Sequence, residues 1–174
     1  MDKKKKIFIA IIVAFVVVDL VLCYFAFFRK DKIETKTFKN NFLEFTYTDD
    51  YSIKERETKI SICKDDKCGQ IDIVITELSD DVLKRDNDFI IQEANEEFEN
   101  NNKNYFVNYY GSYKVKDYVV KDFLYTNENA GKQIDFNYII HNKKLILISY
   151  INEDEYFDLY EYKVLDIINS LKIS

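Results

Sequence analysis

The chain reads as an α+β protein, a layered helix–sheet–helix (α/β/α) sandwich preceded by one transmembrane helix. Three observations carry that reading. Residues 7–28 form a nearly unbroken apolar run, with Lys3, Lys4, Lys5 and Lys6 before it and Arg29, Lys30 and Lys32 after it. Short alternating or continuously apolar runs, punctuated by turn residues, recur through 42–78 and 105–151. Two stretches with apolar residues at helical spacing, 86–101 and 153–171, lie between and after those runs.

A helix over residues 7–28 at ~1.5 Å of rise per residue spans roughly 33 Å, enough for a ~30 Å hydrocarbon core. Asp19 is the one flaw. A central carboxylate costs ~2.5–3.5 kcal/mol on the insertion scale, while each Leu, Ile, Phe or Val gains ~0.3–0.6. Sixteen such residues outweigh it. Intramembrane carboxylates usually face a partner or a cavity, which makes Asp19 a candidate contact with another membrane protein. The run exceeds a signal peptide's usual apolar stretch and no small-x-small cleavage site follows it, so the expectation is an uncleaved signal anchor. The short tail 1–6, with four lysines, favours the cytoplasm; the domain at 37–174, after a polar linker at 29–36, then faces outward.

Beyond residue 28 the chain carries 21 Lys and Arg against 29 Asp and Glu. An acidic domain argues against nucleic-acid partners. Its first strand signal is the alternating run 42–47. After a turn at Asp49-Asp50, 51–54 starts a second strand, and 59–63 with 70–78 read as a hairpin. Ser79, Asp80 and Asp81 are cap-type residues, and the helix over 86–101 places Phe89, Ile90, Ala94 and Phe98 on one face. Strands return at 105–115, broken near Gly111, and at 118–126, 132–140 and 144–151, the last pair joined by an Asn142-Lys143 corner. Leu145-Ile146-Leu147-Ile148 is continuously apolar, as in a strand covered on both faces. The closing helix buries Phe157, Tyr160, Val164, Ile167, Ile168 and Leu171. Two helices and a strand needing cover on both sides give the layered sandwich.

The opening NNFLEFTYTDDYSI and the closing KLILISYINEDEYFDLYEYKVLDIINSLKI resemble the PsbP-like family, named for an extrinsic subunit of photosystem II. Members often carry a Pro near Thr48 and a Trp near Tyr51, where this chain has neither. The resemblance implies an α/β/α sandwich with a mainly antiparallel sheet. It does not imply photosynthesis, because function lives in sites rather than folds.

Cys63 and Cys68 are the sharpest local signal. Residues flanking a four-residue hairpin loop stand opposite each other at ~4.5–5.5 Å, inside the disulfide window. An oxidising exterior closes the pair, whereas a reducing location leaves two thiols. A metal site would need companion ligands, and His141 is the single histidine. His141 sits at a hairpin corner with no Ser motif beside it, so no catalytic residue is assigned. With three glycines in the chain no phosphate-cradling loop or cofactor fingerprint arises. The acidic stretch 77–99 reads as a solvated helix face, without the Gly of a calcium loop. Tyr105, Tyr109, Tyr110 and Tyr113 form a candidate recognition patch, since tyrosines offer contact area at low entropic cost. The expectation is therefore a non-enzymatic binding or accessory domain at the cell membrane. The alternatives are a structural subunit of an envelope assembly or secretion apparatus, and a cell-envelope hydrolase.

Overall fold

The computed structural model describes residues 34–65 and 67–174. The expected anchor, with Asp19, lies outside the described residues. Among those residues no helix is long and apolar enough to cross a membrane.

Ten strands and two α-helices are formed among the described residues: β1 (Thr35–Lys39), β2 (Leu43–Thr48), β3 (Tyr51–Arg56), β4 (Lys59–Lys64), β5 (Lys67–Glu77), α1 (Asn87–Asn101), β6 (Phe106–Val115), β7 (Tyr118–Asn127), β8 (Lys132–His141), β9 (Lys144–Glu153), α2 (Asp154–Ser170) and β10 (Lys172–Ile173). Local chemistry sets the boundaries. Asp86 caps α1, its side chain accepting the Asp88 N–H. The β8–β9 hairpin turns on Asn142 and Lys143, both at positive φ, the geometry of a two-residue primed turn.

Seven strands form the main sheet in the order β3-β4-β5-β9-β8-β7-β6, with β1-β2-β10 as a separate small sheet. Every pairing is antiparallel. β9 is central, as its continuous apolar run predicts. Ile146, Ile148 and Tyr150 turn to the α2 face, where they join Ile60, Ile73, Phe157 and Ile167. Leu145, Leu147 and Ile151 turn to the α1 face, with Ile91, Tyr125, Phe136 and Tyr138. The helix–sheet–helix layering follows.

Four details depart from the sequence reading. β1 begins at Thr35, inside the stretch read as linker. The alternating run 42–47 leaves Phe42 outside the strand and forms β2 in a separate small sheet, where Leu43 and Phe45 are fully buried beside α2. In α1 the buried positions are Ile90, Ile91 and Asn95, while Phe89 is half exposed against the Arg85 guanidinium. In α2 Lys163 joins the buried stripe and Tyr160 is only partly covered.

Candidate functional site

Where the small sheet meets α2, a cleft of about 380 Å³ opens. Thr46, Tyr47 and Thr48 of β2 form one wall, Lys163, Asp166 and Asn169 of α2 another, and Ile62, Ile71 and Ile167 the floor. Helical geometry explains the floor and the cation together. Lys163 lies three residues after Tyr160 and four before Ile167, so its stem runs along the stripe that packs on the sheet. Ser170, near the end of α2, ties the walls together: its hydroxyl accepts the Thr46 N–H at 2.9 Å and donates to the Ile167 carbonyl at 2.9 Å.

Lys163 is 8% exposed. Its Nζ donates to Asp50 Oδ2 at 3.2 Å and stands 4.4 Å from the Tyr51 ring centroid. Burial works to lower the Lys163 pKa, yet the Tyr51 hydroxyl and the Asp50 carboxylate outweigh it and hold the ammonium above its ordinary value. Burial likewise opposes ionisation of Asp50, but the Thr48 hydroxyl and the lysines keep that carboxyl below the usual range. A second cavity of about 270 Å³ adjoins the first at Tyr51, which lines both. Lys64, Asp65, Lys67, Gln70, Tyr156 and Tyr160 also line it.

Polar groups of a different kind collect beneath α2 on β6, β7 and β8. The Tyr113 hydroxyl donates to Asn137 Oδ1 at 2.8 Å, and Asn137 Nδ2 donates to Asp135 Oδ2 at 2.5 Å. Asp135 is 6% exposed. Burial, and after it the adjoining Asp122 carboxyl, push Asp135 up to about 9; the Asn137 amide pulls the other way. Glu161, on α2, is raised by burial and then by Asp158 and Asp122. The charged neighbours acting on these two groups are thus acids. Burial and the neighbouring acids thus both favour the protonated, neutral form of Asp135.

Cys63 and Cys68 form a disulfide, with Cα atoms 4.3 Å apart across the β4–β5 hairpin. Tyr109, Tyr110 and Tyr113 lie on the edge strand β6 and Tyr105 just before it, and the four do not share a face. A register shift between Val107 and Tyr109 sets Tyr109 opposite Leu124 and Tyr113 opposite Val120, on the α2 side. Tyr110 is opposite Phe123 on the α1 side, and Tyr105 packs on Phe98. Tyr109 lies over Gly111, where a Cβ would collide with its ring. His141 stacks edge-on against Tyr118 at 4.9 Å. Neither the cleft nor the acid group was picked out from the sequence. Lys163 carried a usable signal, its place within an apolar helical stripe. Asp122, Asp135 and Glu161 carried none.

The architecture is a PsbP-like fold. The solution structure of cyanobacterial PsbP (CyanoP) from Synechocystis sp. PCC 6803 is similar at a TM-score of 0.62 and 9% identity, over 84% of this chain and 96% of that one. The crystal structure of LpqN, involved in cell envelope biogenesis of Mycobacterium tuberculosis, is similar at 0.54 and 10% identity, over 84% and 94%. At such identities the likeness is one of fold. No family model matches the chain, and no curated protein sequence matches it.

Proposed function

We propose that the chain is a membrane-anchored, extracytoplasmic and non-enzymatic binding module that takes a ligand into the cleft between the small sheet and α2. The observation that carries this is the cleft itself. It is within the ~300–1,000 Å³ range of ligand sites, combines an apolar floor with converging polar groups, and holds a buried cation. The apolar run 7–28 and its lysine tail support the anchoring. The shared fold with an envelope-biogenesis protein is consistent with an envelope location.

The full chain in nanodiscs, screened against a soluble ligand library by saturation-transfer NMR, tests the cleft. Hits should lose their signal when Asn169→Trp fills its rim; hits indifferent to that substitution overturn the site. Carbonate washing should leave the chain in the membrane, and external protease should remove the domain from intact cells. Release of the chain into the wash, or protection of the domain, overturns the anchoring or the topology.

A second reading, a subunit of an envelope assembly, is favoured by the outer strand β6. It presents Phe106, Val107, Tyr109 and Tyr110 to solvent along a ten-residue edge, the kind of surface that monomers usually blunt. Photo-crosslinking from position 106 in native membranes distinguishes the two: a discrete adduct supports assembly, its absence supports the module alone.

A further inference from the structure

We propose that the two cavities meeting at Tyr51 form a binding groove for a neutral oligosaccharide. The inference rests on the binding-module reading above and names its ligand class.

Charge excludes one set of ligands. Lys163 and Lys64 both stand beside the Asp50 carboxylate, at 3.2 and 3.7 Å. The cations lining the groove are Lys163, Lys64 and Lys67, and the acids lining it are Asp65 and Asp166; Asp50, beside the lining, holds both Lys163 and Lys64. With Asp50 included, three cations meet three carboxylates, so the groove and its border offer no net charge to select a phosphate, a carboxylate or an amine, and the acidic domain around them repels polyanions at longer range.

What remains is a surface that matches the two sides of a pyranose. Each sugar ring presents C–H faces, which pack on aromatic rings, and a belt of hydroxyls, each both donor and acceptor. Tyr47 supplies a ring to the first cavity, and Tyr156 and Tyr160 supply rings to the second; Tyr51, buried with Lys163 over its ring, is the wall between them. Thr46 and Thr48 bring hydroxyls that also donate and accept. Asp166 and Asn169 lie three residues apart, on one side of α2, where a carboxylate and an amide can engage neighbouring hydroxyls together. A lipid would leave this polar rim unpaired, at a desolvation cost.

Shape extends the argument from one sugar to several. A pocket for a single ring needs one chamber, whereas here a second, of about 270 Å³, shares the Tyr51 wall with the first. A chain of rings that occupies both crosses from one to the other over the Tyr51 wall.

The test is calorimetric titration of the full chain in nanodiscs with four probes: an N-acetylglucosamine tetramer, maltotetraose, tetragalacturonate and a neutral tetrapeptide. At least one neutral tetrasaccharide should bind ten-fold or more tighter than the uronate and the peptide. Asp166→Ala and Asn169→Ala, both at exposed positions, should each weaken it at least five-fold without moving the melting temperature. Lys103→Ala, an exposed position that lines neither cavity, should leave the neutral sugars unchanged within two-fold. Preference for the uronate or the peptide, with Asn169→Trp abolishing it, overturns the sugar and leaves the binding module standing. Sugar binding indifferent to Asp166, Asn169 and the Trp block places the ligand elsewhere and overturns the groove. If none of the four probes binds the wild-type chain, the oligosaccharide proposal falls; the binding module falls with it only if the library screen also yields no Trp-sensitive ligand.

Discussion

The two faces of the main sheet are covered by helices that work differently. Under α2 the lining is aliphatic, with Ile60, Ile62, Ile71, Ile73, Ile146 and Ile148 all nearly or fully buried, and α2 lies backbone-close over β2 and β9. Under α1 the lining is aromatic. Phe98 meets Tyr125 and Phe136 edge-on at 4.9 and 4.7 Å, and the Tyr125 hydroxyl donates to Glu99 at 2.9 Å. Each face also hides a polar misfit. On the α1 side it is Asn95, whose amide has no protein partner at either atom. On the α2 side it is Asp135, whose misfit depends on pH. The helix that walls the cleft is thus also the one seated on a buried acid whose proton burial favours, whereas the misfit beneath α1 is an amide, which does not titrate.

Five variants break or sharpen this contrast. The largest effect is expected at neighbouring positions of β9. Ile148→Asp puts a charge into the α2 face at a fully buried site, a loss of several kcal/mol against a total of ~5–15, and should abolish cooperative unfolding. Leu147→Asp, half buried on the α1 face, should leave a folded but weakened domain. Circular-dichroism melts compare them, and equal losses would erase the distinction between the faces.

Asp135→Asn comes next. The folded acid holds its proton up to about pH 9, whereas the unfolded acid releases it near 4, so the unfolded state binds fewer protons through that window. Wild-type stability therefore falls as pH rises from 4 to 9. The asparagine should flatten that slope and add on the order of 4 kcal/mol at pH 7. Urea melts at pH 5 and pH 8 check it, and parallel pH profiles for the two proteins would count against the buried acid.

The Cys63→Ser, Cys68→Ser pair should cost about 2 kcal/mol, the loop-entropy value for so short a closure, with the fold retained. Thiol alkylation of intact cells before and after reductant measures the oxidised fraction. The smallest effect is expected at Asn95→Leu, where a shape-matched apolar side chain removes the unpaired amide and adds about 1 kcal/mol. That gain should be the same at pH 5 and pH 8. A pH-dependent gain would mean that the α1 face also holds a titrating group.

Much of the layering was legible because it depends on period. Both helices end within a residue or so of where caps and stripes put them, and the apolar run of β9 marked the central strand. Phase was less secure. Phe89 and Ile91 are two residues apart, and a pattern of large apolar side chains does not say which of them the sheet takes. The division into two sheets was hidden as well, since alternation in 42–47 is the same whichever sheet the strand joins. The candidate site was the least visible part. Asp122, Asp135 and Glu161 are scattered along the sequence and become neighbours only through the β7–β8 register and the docking of α2. The tyrosines at 105–113 looked like one patch because strand alternation and the shift at Val107/Tyr109 cannot be counted from composition.

The strand order carries a kinetic consequence. β3, β4 and β5 form one meander and β6, β7, β8 and β9 another, each made of hairpins that close over short distances along the chain. A single seam joins them, β5 against β9, from Ile71↔Tyr150 to Glu77↔Lys144. Closing it brings together residues dozens of positions apart, and that entropy is spent before the contacts reward it. The two meanders can therefore form early and independently, while the rate of folding is governed by how quickly they find each other. Substitutions along the seam, such as Ile73→Val, should slow folding, whereas equal losses in the outer hairpins should instead speed unfolding.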